Sequence, residues 1–312
     1  MDASAHTWFS NRTSRAQDWP LARLLAAKGE TTVSVVLPAL NEAATVGRIV
    51  SRILPLPVVD EVVVMDSGST DDTVAVAAAA GARVVRREDV LPQFAPRPGK
   101  GEVLWRSLAA TSGDVICFVD SDLRDFSPSF VTGLLGPLLT DTGVQFVKAT
   151  YDRALRSGEL ELPTGGGRVT ELVARPLLAL HWPALSGFVQ PLGGEYAARR
   201  SLLERLPFAC GYGVELGLLV DTVQTVGLDA MAQVDLARRK HRNQSNEKLG
   251  RMAAEIMQVA IDRLEREGRL KLSSPPSTLL TQFERSGDGY VVHETDVIER
   301  ERPPMATVGR SG

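Results

Sequence analysis

Two aspartates one residue apart, Asp120 and Asp122, close the apolar run Val115-Ile116-Cys117-Phe118-Val119. An uninterrupted apolar run this short predicts a strand buried on both faces. Carboxylates at its end then emerge at the C-terminal edge of a sheet, where open α/β sheets bind ligands. With Ser121 between them, both side chains leave an extended backbone on the same side. Hard oxygen ligands at that spacing suit Mg²⁺ or Mn²⁺ carrying a diphosphate. Capping of a strand end is the competing explanation, and Asp-x-Asp alone does not decide between them.

Four further groups could act on an anion or a metal. Lys100 stands just before a predicted helix, where its ammonium and the first helical amides could share an anion; a solvated surface lysine is the alternative. Gly165-Gly166-Gly167-Arg168-Val169-Thr170-Glu171 exposes successive amides ahead of a helix. Arg168 and Thr170 add donors for a phosphate or carboxylate, which sets an anion site against a flexible linker. Glu215, in Gly211-Tyr212-Gly213-Val214-Glu215, is either a helix-start carboxylate or a buried group that grips hydroxyls. His241, inside Arg238-Arg239-Lys240-His241-Arg242-Asn243, could supply a nitrogen ligand to Mn²⁺ where the first half offers only acids. A charge run is more often a solvated face. Asp66, which opens Asp66-Ser67-Gly68-Ser69-Thr70-Asp71-Asp72, reads as turn chemistry ahead of a nucleotide contact.

The elements that must position these groups alternate regularly. Strands are expected over Val33–Leu37, Val62–Met65, Ala82–Arg86, 115–119 and Val144–Ala149. Helices are expected over 42–53, 72–80, 101–110 and 127–139, with Ser69 or Thr70 as N-cap of the second. That alternation predicts right-handed βαβ units and a mainly parallel sheet through residue 150. The loop after the first strand, Pro38-Ala39-Leu40-Asn41-Glu42, has neither G-x-G-x-x-G nor G-x-x-x-x-G-K-[ST], so NAD and P-loop nucleotides are not expected. Beyond residue 150 the pattern gives an amphipathic stretch from Val169 to about Leu180 and a strand or bend within Gln190–Arg199. A helix over Leu216–Val226, a strand over Asp229–Ala237 and a long helix near 247–267 follow. The stripe Leu249, Met252, Ile256, Val259, Ala260, Leu264 reads as core or dimer packing. The tail from Ser273 reads as an extended strap, frayed at its end. The expected organisation is an N-terminal extension (1–31), a nucleotide-binding core (32–150), an acceptor- and sugar-binding half (151–272) and the tail (273–312).

Of 312 residues, 44% are hydrophobic and 23% charged, with net charge -3; this is ordinary for a globular chain and offers no basic footprint for nucleic acid. Cys117 and Cys210 are the only cysteines, which fits a reduced, cytoplasmic protein. No signal-peptide pattern or apolar run of membrane-spanning length is present.

Taken together, 38–42, 66–72 and 120–122 resemble the GT-A glycosyltransferases, enzymes of nucleotide-diphosphate sugars. Adding Arg97-Pro98-Gly99-Lys100-Gly101, 165–171, 211–215, His241-Arg242-Asn243, Leu280-Thr281-Gln282-Phe283 and Arg302-Pro303-Pro304, the chain resembles the actinobacterial glucosyl-3-phosphoglycerate synthases over nearly its full length. The resemblance implies a GT-A fold, an α/β sheet with a smaller C-terminal acceptor-binding lobe, and transfer of glucose from UDP-glucose to 3-phosphoglycerate with retention. It implies Pro38, Ala39, Leu40 and Glu42 on uracil and ribose, Ser67 on the base, Lys100 near the nucleotide and Asp120 on the ribose side. Asp122 and His241 would hold the divalent metal. Gly167, Arg168, Thr170 and Asn243 would grip phosphoglycerate, and Leu192, Tyr212, Glu215 and Arg239 would surround the glucose, with Glu215, Asp122 and Arg239 closest to the chemistry. It also implies a homodimer, with no nucleic-acid or membrane partner. Mannosyl transfer from GDP-mannose and a non-catalytic nucleotide-sugar-binding role are the alternatives. A sugar-nucleotide pyrophosphorylase would need a glycine-rich, arginine-containing first loop, which 38–42 is not. No side chain presents itself as a covalent nucleophile.

Overall fold

The computed structural model describes residues 3–153, 155–157, 160–162, 167–239 and 246–308. The chain opens with α1 (Ala3–Arg12), the short strand β1 (Thr13–Arg15) and α2 (Leu21–Lys28). Strands β2 (Val33–Ala39), β3 (Glu61–Asp66), β4 (Arg83–Arg86) and β5 (Val115–Phe118) then alternate with α3 (Val46–Ile53), α4 (Thr73–Ala79) and α5 (Lys100–Ala110). After α6 (Ser129–Thr140) come β6 (Phe146–Arg153) and a small antiparallel ribbon, β7 (Leu155–Ser157) with β8 (Leu160–Leu162). Next are α7 (Arg175–His181), β9 (Tyr196–Arg199), α8 (Arg200–Leu203), β10 (Phe208–Ala209), α9 (Val214–Val226), β11 (Met231–Arg239) and α10 (Asn246–Arg266). The tail contributes β12 (Leu279–Ser286), β13 (Gly289–Asp296) and β14 (Glu301–Arg302).

One sheet in the order β1-β11-β6-β9-β5-β2-β3-β4 forms the spine. Every pairing in it is parallel except those of β9, which runs antiparallel between β5 and β6. Side chains alternate between two cores: Ile116 and Phe118 of β5 join one, Val115, Cys117 and Val119 the other. Helices α5, α7, α9 and α10 cover the first face and α2, α3, α4 and α6 the second. The buried row Val46, Ile49, Val50, Ile53 of α3 follows the i, i+3, i+4, i+7 spacing of a one-sided helix, each side chain contributing about 1.5–3 kcal/mol by burial.

The second half of the chain adds β9 and β11 to this same sheet, and the expected boundary at residue 150 falls inside β6. The N-terminal extension is also part of it, since β1 pairs in parallel with β11 and Trp8 is buried, its indole N–H donating to Leu228 O and Met231 O at 3.1 Å. Three local expectations are corrected. Neither Ser69 nor Thr70 caps α4; the N-cap is Asp72, without a side-chain cap bond, because Ser69 Oγ accepts from Asn41 N and Thr70 N donates to Asn41 Oδ1. Helix α3 starts at Val46 rather than 42, as 42–45 make a turn closed by Thr45 N on Glu42 O. The tail is an antiparallel hairpin, β12–β13, and only beyond it a strap that pairs through β14 with β10. In α10 the stripe is core at its C-terminal half: Ile256, Val259, Ala260 and Leu264 are buried. Cys117 and Cys210 are both buried and free. Among the described residues, no helix is long and apolar enough to cross a membrane.

At the opposite end of β3 from the ligand edge, Glu61 ties three segments together. It accepts from Ser34 Oγ at 2.5 Å, Ser112 N at 2.7 Å and Arg83 Nη2 at 2.8 Å. Burial alone would raise its pKa; these bonds and the Arg83 charge override that and lower it to about 2. A depressed folded-state pKa contributes stability above the unfolded value and loses it as pH falls through the folded one. Glu61→Gln is therefore expected to destabilise the fold at neutral pH, with the deficit fading below the ordinary carboxylate value of 4.5 and gone near 2. Thermal denaturation against pH reads this; a deficit constant with pH contradicts it.

Candidate functional site

The loops at the C-terminal ends of β2, β3 and β5 are tied to one another by side chains. Ser67 N donates to Ala39 O at 2.9 Å, Glu42 N to Thr73 Oγ1 at 2.7 Å and Ala43 N to Asp71 Oδ2 at 3.2 Å. Asp66, 3% exposed, accepts from Gly68 N and Ser69 N, as the turn reading expects. The residue between the aspartates is itself a tie: Ser121 Oγ donates to Pro38 O at 2.6 Å, and Ser121 O accepts from Thr45 Oγ1 at 2.6 Å. The first-strand loop and the Asp-Ser-Asp loop therefore share one rigid frame.

Lys100 begins α5, set by Gly99 at φ 114, where a Cβ would lie 2.3 Å from Cys210 O. Its Nζ lies 2.6 Å from Asp120 Oδ1 and 3.0 Å from Glu215 Oε1. Burial would lower its pKa, but the charges of Asp120 and Glu215, with Glu195 beyond, hold the ammonium well above its ordinary value. Lys100 therefore reads as a half-buried bridging cation rather than a solvated lysine. Asp120 is engaged with Lys100 and Asp122 is exposed, and both line the cleft. Glu215, 5% exposed at the start of α9, is both a helix-start carboxylate and a buried group. A second lysine missed from the sequence, Lys148 on β6, is 1% exposed, donates to Gly193 O and lies 4.8 Å over the Tyr196 ring. Burial lowers its pKa to about 8, against the pull of Glu215. Its signal in the sequence was a lysine inside an apolar strand.

These residues border one cavity of about 1120 Å³. Pro38, Ala39, Leu40, Glu42, Ser67, Lys100, Asp120, Asp122, Gly167, Arg168, Thr170, Leu192, Tyr212 and Glu215 all line it. Gly167, at φ 86, accepts from Glu171 N and opens the helical turn Thr170–Ala174, which places exposed Arg168 and buried Thr170 at its rim. His241 and Asn243 lie outside the described residues, as do Gly165 and Gly166. Arg239 ends β11, just past an irregularity between Asp235 and Arg238 where Ala237 takes φ 69. Asp296, Ile298, Glu299 and Arg300 of the tail also line the cavity, none of them signalled by a local motif.

Gly194 packs directly on the bridging cation: a Cβ there would lie 2.3 Å from both Asp120 oxygens and from Lys100 Nζ. Those are side-chain ends that can move, so Gly194→Ala should leave the fold nearly intact but displace the ion pair. Overpacking in a rigid core costs about 1–3 kcal/mol, and flexible side-chain ends place this change at or below the low end. Nucleoside diphosphate affinity is expected to fall about tenfold or more in titration calorimetry, with little change in Tm. Unchanged affinity would show that the pair does not set the nucleotide site.

A mainly parallel sheet, an acidic pair at its C-terminal edge and a facing glycine–arginine turn define a GT-A glycosyltransferase, and residues 34–172 match the family model Glycosyl transferase family 2. The chain is 52% identical to the glucosyl-3-phosphoglycerate synthase of Mycolicibacterium smegmatis across 97% of this chain and 98% of that protein. It belongs to the glucosyl-3-phosphoglycerate synthase family. The Mycobacterium tuberculosis glucosyl-3-phosphoglycerate synthase, solved in complex with Mn²⁺, UDP and phosphoglyceric acid, shares 52% identity and a TM-score of 0.82, covering 92% of this chain and 94% of that one. A mannosyl-3-phosphoglycerate synthase structure from Rubrobacter xylanophilus is 41% identical with a TM-score of 0.91, covering 99% of both chains.

Proposed function

We propose that the chain transfers glucose from UDP-glucose to the 2-hydroxyl of 3-phosphoglycerate with retention, releasing UDP. The observation that carries this is a cavity lined by the expected nucleotide residues, by Leu192, Tyr212 and Glu215 of the sugar set and by Gly167, Arg168 and Thr170 of the acceptor set. Family relatives bound to Mn²⁺, UDP and phosphoglyceric acid support it.

The donor set fits a hard divalent cation. Asp122 is exposed at the sheet edge and lines the cavity; with His241 it would hold the ion, leaving phosphate oxygens to complete it. When bound, Mg²⁺ or Mn²⁺ would stabilise the charge that gathers on the leaving diphosphate. Pro38, Ala39, Leu40, Glu42 and Ser67 would hold uridine. Arg168, Thr170, Gly167 and Asn243 would hold the acceptor anion, and Leu192, Tyr212, Glu215 and Arg239 the glucose. Glu215 is ion-paired to Lys100 at 3.0 Å, which suits a group that grips sugar hydroxyls more than a nucleophile. The acceptor 2-hydroxyl then attacks C1 on the face the diphosphate leaves. The new C1–O bond forms as the old one breaks, and the hydroxyl proton passes to the departing phosphate oxygen. A glycosyl-enzyme adduct trapped on Glu215 would refute this.

A second reading, GDP-mannose as donor, is favoured by the Rubrobacter likeness. Steady-state assays with 3-phosphoglycerate and either donor separate the two. Release of UDP from UDP-glucose, abolished by a chelator, supports the first; faster turnover of GDP-mannose overturns it. A homodimer in the cytoplasm completes the proposal. Leu279, Phe283, Tyr290 and Val292 share one exposed face of the β12–β13 hairpin, a surface suited to a second copy. Sedimentation equilibrium giving a monomer would remove the dimer. Two free buried cysteines suit a reducing compartment; fractionation that finds the protein outside the cytoplasm would contradict that part.

A further inference from the structure

We propose that Glu299, carried by the C-terminal strap, is a positioning residue for the sugar half of the site. With Glu255 it forms an acid pair that clamps the Gly211–Tyr212 turn and so sets Tyr212 and Glu215 against the donor sugar. The inference rests on the sugar-subsite reading above.

The strap is fixed at both ends of this contact. Val297 is buried and its N–H donates to Thr278 O at 2.7 Å. Beyond Glu299, Cys210 N donates to Arg300 O at 2.7 Å, β14 pairs with β10, and Arg302 is held by buried Glu102 at 2.6 Å. Glu299 N itself donates to Gln258 Oε1 of α10 at 2.9 Å. Its carboxylate therefore has little freedom.

Two carboxylates then take two successive amides of one turn. Glu299 Oε1 accepts from Gly211 N at 2.9 Å, and Glu255 Oε2 accepts from Tyr212 N at 2.8 Å. Oε2 of Glu299 and Oε2 of Glu255 both lie within 2.6 Å of the point a Cβ on Gly211 would occupy, so the two acids crowd each other. Arg251 Nε donates to the other Glu255 oxygen at 2.7 Å, whereas Glu299 Oε2 is buried with no hydrogen-bond partner among the described residues. A buried, unpartnered carboxylate oxygen beside a second carboxylate is the arrangement in which one member keeps its proton. The groups facing Glu299 are Glu255 and Arg251 on α10, Cys210 with the Gly211 and Gly213 amides on the turn, and the Arg300 amide in the strap. Burial raises Glu299 and the Glu255 charge raises it further, while the amides of Gly211, Arg300 and Gly213 oppose this, leaving it at about 7.

Below that value the carboxyl is neutral, accepts from Gly211 N and leaves a single negative charge on the pair. Above it the proton leaves to solvent and two like charges face each other across the turn, which loosens it. The turn leads directly into α9, which carries Glu215 at its second residue, so the sugar contacts respond, while Lys100 stays held by Asp120 at 2.6 Å and the uridine contacts on β2 and β3 are unchanged.

Steady-state kinetics with UDP-glucose and 3-phosphoglycerate on both sides of neutrality, with UDP titration calorimetry in parallel, tests this in the full-length chain. The wild type should show KM for UDP-glucose rising about tenfold with a midpoint near 7, while UDP affinity stays level. Glu299→Gln keeps the accepting oxygen and cannot ionise, so its KM should stay low across the range. Glu299→Ala should have a raised KM at every pH. A Glu299→Gln enzyme that keeps the wild-type pH dependence, or variants whose UDP affinity falls in step with KM, would overturn the proposal. A wild type that binds UDP but turns over no UDP-glucose would instead refute the functional reading on which it rests.

Discussion

Replacing Asp122 by alanine should lower turnover by about a thousandfold or more while leaving the protein folded. Removing one preorganised group that stabilises leaving-group charge costs about 10²–10³ in rate, and loss of a catalytic cation adds to this. Asp122 is exposed, and its neighbour Ser121 ties the loop to Pro38 and Thr45. Exposed substitutions away from core and caps usually stay within about 0.5 kcal/mol. The checks are kcat/KM, Mn²⁺ affinity by calorimetry and Tm, measured together. A variant that retains metal-dependent turnover would remove Asp122 from the metal site and favour a binding role for the chain.

The second large effect concerns stability and affinity together. Lys100→Met leaves the carboxylates of Asp120 and Glu215 without the ammonium that lies within 3.0 Å of both. Breaking a buried ion pair by deleting one partner costs about 3–5 kcal/mol. Both Lys100 and Asp120 keep about a fifth of their side chains exposed, so about 3 kcal/mol is expected here. UDP affinity should fall with it, since a diphosphate would meet two unbalanced negative charges. Lys100→Arg should not restore the site, as a planar fork cannot replace a compact charge between two acids. Chemical denaturation and calorimetry of both variants decide this; a Lys100→Met protein as stable as wild type would mean the triad is screened by solvent.

The parts of this architecture that could be read from the chain are those set by local pattern. Buried parallel strands announce themselves as short apolar runs, so β2, β3 and β5 were legible, and with them the sheet edge where Asp120 and Asp122 emerge. Gly99 was visible as a glycine beside a lysine, although the close approach of Cys210 that requires it was not. What escaped was decided by partners distant in sequence. Tyr196–Arg199 could be strand or bend until Val115–Phe118 and Phe146–Lys148 flanked it. The N-cap of α4 was lost by Ser69 and Thr70 because Asn41, on another loop, took their hydrogen bonds. Glu299 lies 88 residues from the amide it holds, and no spacing rule connects them. The glycine–arginine turn was legible as an anion-site motif, and its proposed assignment to the acceptor rests on family relatives rather than on residue spacing.

Donor and acceptor are tested most directly by the structure of the product. Purified protein, UDP-glucose, 3-phosphoglycerate and Mn²⁺ should yield UDP and one new sugar phosphate. Its NMR spectrum should show an α-anomeric proton coupled through oxygen to C2 of the glycerate. A β-anomer would contradict retention and the front-face step. Linkage elsewhere on the acceptor would contradict the assignment of Arg168 and Thr170 as its anchors. Free glucose with no new glycoside would contradict the proposed transfer itself.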